Sequence, residues 1–378
     1  MFAGLVLVHE YGHYIMARRN GVDVEEFALC FPPRLFSRTT RTGMKLSVNL
    51  IPLGGYVKLK GEHDSDTEPH SFGAASLTAK TKIMSAGIVM NLLTAIVLLT
   101  ILALVGMPQL IPNQYTVKSD TSLAGKQVII TSVEAGSPAA KAGLRPQDAI
   151  IAIEIPGNSP VTITDSSQLP QVTKSFAGKN VEVFYIRGGH HYQADVTLRS
   201  ASVVNASLNT GNPKGYLGVI NPLNLEVQKS TWSAPIVAIG ICIQYTALTF
   251  HALWQVITGV GSIFAGLLTH NTVARQNGQA QASQLTGPVG IYFILKASTA
   301  LGLAYVVFII AIISLALAIM NFLPIPALDG GRLWITLVTR AMNRPLSAKR
   351  EEMINATGFI VLICLVILIT FSDVKRFF

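Results

Sequence analysis

Near the start of the chain the residues Val8-His9-Glu10-Tyr11-Gly12-His13 read H-E-x-x-H. On a helix His9 and His13 are four residues apart, so both imidazoles face one side and can share a metal. Glu10 is offset by one position and can reach a water held on that metal. Two histidines, one further ligand and one open position describe a catalytic zinc site. The carboxylate is expected to act as general base and then hand the proton to the leaving amine. Apolar residues flank the motif, Phe2 to Val8 before it and Tyr14 to Ala17 after it, followed by Arg18-Arg19. Ionisable groups inside an apolar run are costly in lipid and mark function there. The plain alternative is a half-buried polar helix.

A third ligand is offered far downstream. Thr299 to Leu323 is an uncharged run of 25 residues ending in Asn321-Phe322-Leu323-Pro324-Ile325-Pro326-Ala327-Leu328-Asp329-Gly330-Gly331. Two prolines at that spacing forbid regular helix, so the backbone is expected to unwind just before Asp329. Irregular backbone at membrane depth is tolerated only where it is buried in protein or lines a cavity. Asp329 needs a partner there, and a zinc on His9 and His13 supplies one. Asp329 as a cap for the following helix is the local alternative.

The elements that must position these groups read as a polytopic α-helical membrane protein. Of the 378 residues 50% are hydrophobic and only 13% charged, against roughly 25% charged in soluble domains. About four transmembrane helices are expected, at 2–17, 83–107, 299–323 and 353–371, together with a membrane-associated β-hairpin and an inserted β-rich domain. The lipid bilayer is thus the expected surroundings. The net charge of +9 includes Arg332, Arg340, Arg344, Lys349 and Arg350, which are read as one basic loop with no acid among them. That is a topology signal, and no aromatic-plus-basic arrangement suggests nucleic acid. Cys30, Cys242 and Cys364 are too scattered for a disulfide framework or a cysteine zinc site. No cleavable signal peptide precedes the motif, so the first apolar run is expected to stay as a signal anchor. At about 16 residues it is short of the ~20 needed for a full span, and Arg18-Arg19 argue for a cytoplasmic exit.

Four regions follow. Residues 1–112 form a first membrane half. Within it, 44–59 alternates around Gly54-Gly55 and reads as a β-hairpin. Its edge could take an extended peptide by strand addition, and a surface hairpin is an equal alternative. His63 and His70 in the acidic loop after it could bind metal, but a solvated loop is favoured. In the second span Asn91 is expected to face the bundle interior.

Residues 113–229 are charged and Val/Ile-rich. Strands are expected at 128–133, 147–153, 181–187 and 192–198, the last two paired across Gly188-Gly189, with a short helix opened by Ser137-Pro138. His190 and His191 fall at that hairpin tip and are expected in solvent. In the third region, 230–298, Pro235 to Ile257 is apolar but holds Gln244, His251 and Gln255. If one zinc is shared, an even number of crossings separates His13 from Asp329, so 232–268 is expected as one or two helices on the membrane surface, with His251 interfacial. Residues 270–284 read as a loop. Residues 299–378 form the second membrane half.

H-E-x-x-H in a first span joined with N-x-x-P-x-P-x-L-D-G-G in a later one resembles the site-2 protease family of intramembrane zinc proteases. Val133-x-x-x-Ser137-Pro138-Ala139-x-x-Ala142-Gly143-Leu144-x-x-x-Asp148-x-Ile150 resembles a bacterial PDZ domain, which points to the RseP-like branch. Tyr216-Leu217-Gly218-Val219 looks like a PDZ carboxylate loop but sits at the other end of the domain. The resemblance implies one zinc on His9, His13 and Asp329, with Glu10 as base. It implies that Asn321 and the hairpin, through Leu53, Gly54 and Gly55, hold an unwound substrate. It implies cleavage of single-span membrane proteins such as anti-sigma factors or remnant signal peptides, in a bacterial inner membrane. The PDZ-like domain would be extracytoplasmic, gating access or binding a peptide or C-terminus. Departures are one PDZ-like domain where two are common, and Ala86-Gly87-Ile88-Val89-Met90-Asn91 where the family carries a proline. A non-enzymatic reading, a membrane-anchored PDZ adaptor, explains 113–229 but not metal-type side chains in the spans.

Overall fold

The computed structural model describes residues 2–62, 66–111, 113–208, 213–220, 222–269, 273, 287–299, 301–342 and 347–377. It divides into two compact units: Met1–Leu98, Ile241–Tyr292 and Ile310–Phe378 in one, Leu99–Gly240 and Phe293–Ile309 in the other.

The first unit opens with α1 (Phe2–Arg19), whose last turn carries Arg18 and Arg19. Strands β1 (Val24–Thr39) and β2 (Lys45–Leu59) follow. The expected hairpin within 44–59 is corrected here. Gly54 and Gly55 lie inside one long strand, and the turn is at Thr40–Gly43, where the Thr40 amide donates to Met44 O. β1 was hidden in the sequence because Pro32-Pro33 and four charged residues break its alternation. The pairing Ala28↔Tyr56 closes the inner part and Phe36↔Val48 the outer part, with Ala28 also facing Ser47. The outer part leaves Phe31, Leu35, Phe36, Leu46, Val48 and Leu50 exposed, an apolar patch on a two-stranded ribbon.

Helix α2 (Leu77–Val105) begins six residues before the expected span. Its Ile83 and Met84 pack with Ala17, Val22, Val24, Leu59, Phe72 and Leu333 in the core beneath α1.

The second unit is built on a seven-stranded antiparallel sheet: β3 (Met107–Pro108), β11 (Leu223–Lys229), β4 (Ser122–Ile129), β6 (Ala149–Glu154), β8 (Asn180–Arg187) and β9 (His190–Thr197) in order, with β7 (Val161–Thr162) on β6. The stretch expected as one strand over 128–133 is two, since β5 (Ser132–Val133) leaves the sheet to pair with β10 (Val219–Ile220). The β8–β9 hairpin turns at Gly188-Gly189, with φ of +58° and +86°; two left-handed residues give the type I′ turn that matches strand twist. His190 and His191 at its tip are exposed. Ser137 caps α3 (Pro138–Lys141), accepting the Ala140 amide at 3.2 Å. Helices α4 (Gln168–Ser175) and α5 (Ala201–Leu208) complete the layer. Val128, Ile130, Ile150, Ile153, Val181 and Val183 form its buried interior.

Residues 234–268 form one 35-residue helix, α6 (Ala234–Leu268). Its start is tied down by Asp120, which accepts the Thr231 amide at 2.8 Å, the Ser233 amide at 3.0 Å and the Ser233 hydroxyl at 2.6 Å. These bonds, Ser233 foremost, hold the Asp120 carboxyl down at about 2. A lowered folded value means that the tether is fully present above the ordinary carboxylate range, about pH 4, and is lost as the pH falls through about 2. Protection of the Thr231 and Ser233 amides, exchange measured against the intrinsic rate at each pH, is expected to fall over that window and, in Asp120→Ala, to be low throughout. Unchanged exchange in that variant would dismiss the tether.

Three helices follow in the described chain before the last: α7 (Pro288–Thr299), α8 (Leu303–Phe322) and α9 (Asp329–Ala341). The basic stretch expected as a loop is therefore helical in its first half, with Leu333 and Thr336 buried on one face. Helix α10 (Ala348–Phe377) ends the chain.

Among the described residues four helices are long and apolar enough to cross a membrane: Leu77–Val105, Ala234–Ile263, Leu303–Phe322 and Lys349–Phe371. The set differs from the expected four. Helix α1, with Glu10, Arg18 and Arg19 in 18 residues, falls outside it. The α6 stretch, expected on the surface, has the length and apolarity of a span. The loop expected at 270–284 lies almost wholly outside the described residues.

Candidate metal centre

The α1 helix places His9 and His13 one turn apart, and both are buried. Their Nε2 atoms are 3.2 Å apart. Asp329 reaches the same point from α9: its Oδ2 lies 2.8 Å from His9 Nε2 and 3.1 Å from His13 Nε2. The unwound segment makes this reach possible. Ala327 adopts φ +72°, and Leu328, not Asp329, occupies the position before α9, with no side-chain cap. The Asp329 carboxylate is turned to the imidazoles, so the capping alternative does not hold. Gly330 and Gly331 let the turn fold tightly onto α9: an added Cβ would stand 2.3 Å from Leu323 O and 2.2 Å from Ile325 O respectively.

The donor set fits zinc. Tetrahedral zinc with bonds of ~2.0–2.1 Å holds its ligand atoms ~3.3 Å apart, close to the three separations seen. Among the described residues this is the one group of three or more metal-type side chains that converges. His70 is exposed and its Nδ1 faces Gly21 O; His63 lies outside the described residues. His251 is exposed on α6 beside Gln255.

Glu10 is half-buried and shares with His13 and Asp329 a cavity of about 390 Å³, lined also by Tyr56, Lys58 and Arg332. Gly55 lies against it: a Cβ there would be 3.3 Å from Glu10 Cγ. Gly54 sits under the Phe31 ring, and the Leu53 side chain is outside the described set. Asn321 is half-buried in the last turn of α8 and does not line the cavity. So His9, His13, Asp329, Glu10 and Gly55 come together, while Asn321 is not in the cavity lining and abuts the turn beside Asp329 through its backbone carbonyl, 2.5 Å from where a Gly330 Cβ would stand.

Three further groups escaped the sequence reading as site residues. His13 Nδ1 donates to Ile83 O at 2.8 Å. Asn91, fully buried as expected, stands 3.1 Å from His9 Nδ1. Gly87 faces both rings, and a Cβ there would be 2.4 Å from His13 Nε2 and 2.5 Å from His9 Cε1. The signal was their spacing, 83-87-91, one α2 face at helical period.

Residues 1–365 match the sequence profile of Peptidase family M50. The chain belongs to Peptidase family M50, the site-2 protease family. It is 26% identical over 458 residues to the regulator of sigma-E protease RseP of Salmonella typhimurium, covering 98% of this chain and 96% of that one. It is 24% identical over 459 residues to the zinc metalloprotease RasP of Shouchella clausii, covering 100% and 98%. The M50 chain is a zinc metalloprotease, and its apolar helices make it a membrane protein of that family.

Proposed function

We propose that this M50 protease cleaves transmembrane segments of single-span membrane proteins, with zinc on His9, His13 and Asp329 and Glu10 as the general base. The observation that carries the reading is the meeting of His9, His13 and Asp329 within 3.2 Å from two chain segments 316 residues apart. His9, His13 and Asp329 would hold the zinc, which would supply a Lewis acid for the scissile carbonyl and acidify the attacking water. Glu10 takes a proton from the attacking water. The water oxygen bonds to the carbonyl carbon, the C–N bond breaks, and Glu10 delivers the proton to the departing nitrogen.

A peptide bond inside a helix is shielded, so the substrate must unwind before it is cut. In this reading the β1–β2 ribbon, with Gly55 beside Glu10, receives the extended chain by strand addition. Its exposed apolar side chains suit contact with lipid acyl chains. We assign Leu53, Gly54, Gly55 and Asn321 to substrate holding. The β-rich unit acts in this reading as a PDZ-like module that gates access or binds a peptide or C-terminus. The PDZ-like part lies outside the cytoplasm, and the metal centre lies toward the cytoplasmic face of a bacterial inner membrane. The Salmonella relative is, by its name, a regulator of sigma-E. By extension, regulated intramembrane proteolysis of anti-sigma factors or of remnant signal peptides is the role we propose here.

The test is purified protein in detergent with a model single-span substrate, beside Asp329→Ala. The wild type is expected to hold about one zinc per chain and to cut within the span; the variant is expected to lose zinc at least ~10-fold and to lose cleavage. Stoichiometric zinc in Asp329→Ala would remove Asp329 from the ligand set. A zinc-loaded wild type that cuts soluble peptides and no spanning segment would remove the substrate class.

A further inference from the structure

A histidine that binds metal through Nε2 must carry its remaining proton on Nδ1. Whatever faces Nδ1 therefore decides whether the ring is ready for the metal. For His13 the partner is the Ile83 carbonyl, which can only accept, so its Nε2 is open. For His9 the partner is the carboxamide of Asn91, 3.1 Å away and buried. A carboxamide can present either face. With Nδ2 toward the ring, Nδ1 accepts, and the proton sits on Nε2, pointing at Asp329. With Oδ1 toward the ring, Nδ1–H donates, and Nε2 is open. Oδ1 makes no other hydrogen bond, so turning the amide breaks nothing of its own.

Resting on the reading of His9 as a zinc ligand, we propose that Asn91 is a positioning residue of the metal centre: its Oδ1 accepts His9 Nδ1–H and so fixes the tautomer that turns Nε2 to zinc. Its place on α2 supports this. Ile83, Gly87 and Asn91 recur every four residues on one face of the helix. The first holds His13, the second leaves room for both rings, and the third holds His9. Asn91 is itself anchored, since Ser314 Oγ donates to its backbone carbonyl at 2.8 Å. Outer partners of this kind affect metal affinity by about 10–100-fold when removed.

The experiment compares zinc dissociation constants, by chelator competition on the full-length protein, for the wild type, Asn91→Leu and Asn91→Asp. Asn91→Leu keeps the volume and removes the acceptor; its zinc affinity is expected to fall about 10–100-fold. Asn91→Asp can only accept, and is expected to bind zinc as tightly as the wild type or more so. Cobalt loaded into the site is expected to show wild-type d–d bands in Asn91→Asp and shifted bands in Asn91→Leu. Wild-type affinity in Asn91→Leu overturns the proposal. If that variant does not fold, Asn91→Asp decides alone, since a tenfold or greater loss of affinity there also overturns it. Asp329→Ala separates this from the underlying reading. Zinc kept in Asp329→Ala defeats the ligand assignment; zinc lost there but unmoved in Asn91→Leu defeats only the role of Asn91.

Discussion

Glu10→Gln is expected to lower kcat on a single-span substrate by about 10³-fold, within the usual 10²–10⁴ range for losing a general base, while zinc content and KM stay near those of the wild type. That factor corresponds to roughly 4 kcal/mol of transition-state stabilisation. The substitution isolates the proton transfer because it changes little else. Glutamine matches glutamate in shape, so the approach of Gly55 to Glu10 is kept. The three converging donors belong to His9, His13 and Asp329, so zinc does not depend on Glu10. An amide oxygen still accepts a hydrogen bond from the attacking water but cannot take its proton. A loss that appears in kcat with KM unchanged is the signature of an interaction made only in the transition state. The comparison needs zinc measured on the same samples. Cleavage by Glu10→Gln at more than about a tenth of the wild-type rate would remove Glu10 as base, and a fall in zinc would make it a ligand or a support instead.

The metal centre was legible in sequence because its chemistry is local on one side and punctuated on the other. His9 and His13 are set by helical spacing, and Asp329 is marked by the two prolines that stop α8 from running on. The groups supplied by α2 were given no role at the metal, although 86–91 matches a family motif but for its proline, because Gly87, a backbone carbonyl at residue 83 and a single amide at residue 91 are each ordinary in an apolar helix. Only the partner rings on α1 give them meaning. The ribbon shows a different limit. Gly54-Gly55 has the composition of a turn, yet in the fold it is strand interior, where Gly55 faces Ala28 O at a distance no Cβ would permit. Close approach rather than turning is what that glycine does. Its partner strand β1 carries Pro32-Pro33, Glu25, Glu26, Arg34 and Arg38, and long-range pairing overrode the local signal. The stretch after Asp329 was read from its charges, which hid an amphipathic helix whose buried face includes Leu333 and Thr336. The even-crossing argument treated α6 as a surface helix, whereas α6 has the length and apolarity of a span, so topology here has to be measured rather than counted.

Gly87→Ala is expected to empty the metal centre, with zinc reduced at least ~10-fold and cleavage lost with it. The added methyl carbon would stand 2.4 Å from His13 Nε2, 2.5 Å from His9 Cε1 and 2.6 Å from His9 Nε2. Those are the atoms that must converge on the metal, and none is the free end of a flexible chain. His13 is held by Ile83 O, His9 by Asn91, and both by Asp329. Room can come only by moving α1 off α2, which gives up the close approach at Gly12, where a Cβ would meet Met90 Cγ at 2.6 Å and Ala86 O at 2.7 Å. The helix itself gains from the change, because alanine in a helix interior is favoured over glycine by about 1 kcal/mol. Secondary structure and expression are therefore expected to hold while zinc is lost, which separates a local clash from general unfolding. Gly4→Ala, with nothing within 4 Å of its added carbon, is the matched control on α1 and is expected to leave zinc and cleavage unchanged. Full zinc content in Gly87→Ala, with folding and cleavage intact, would mean that α2 does not pass beneath the imidazoles as the structure has it.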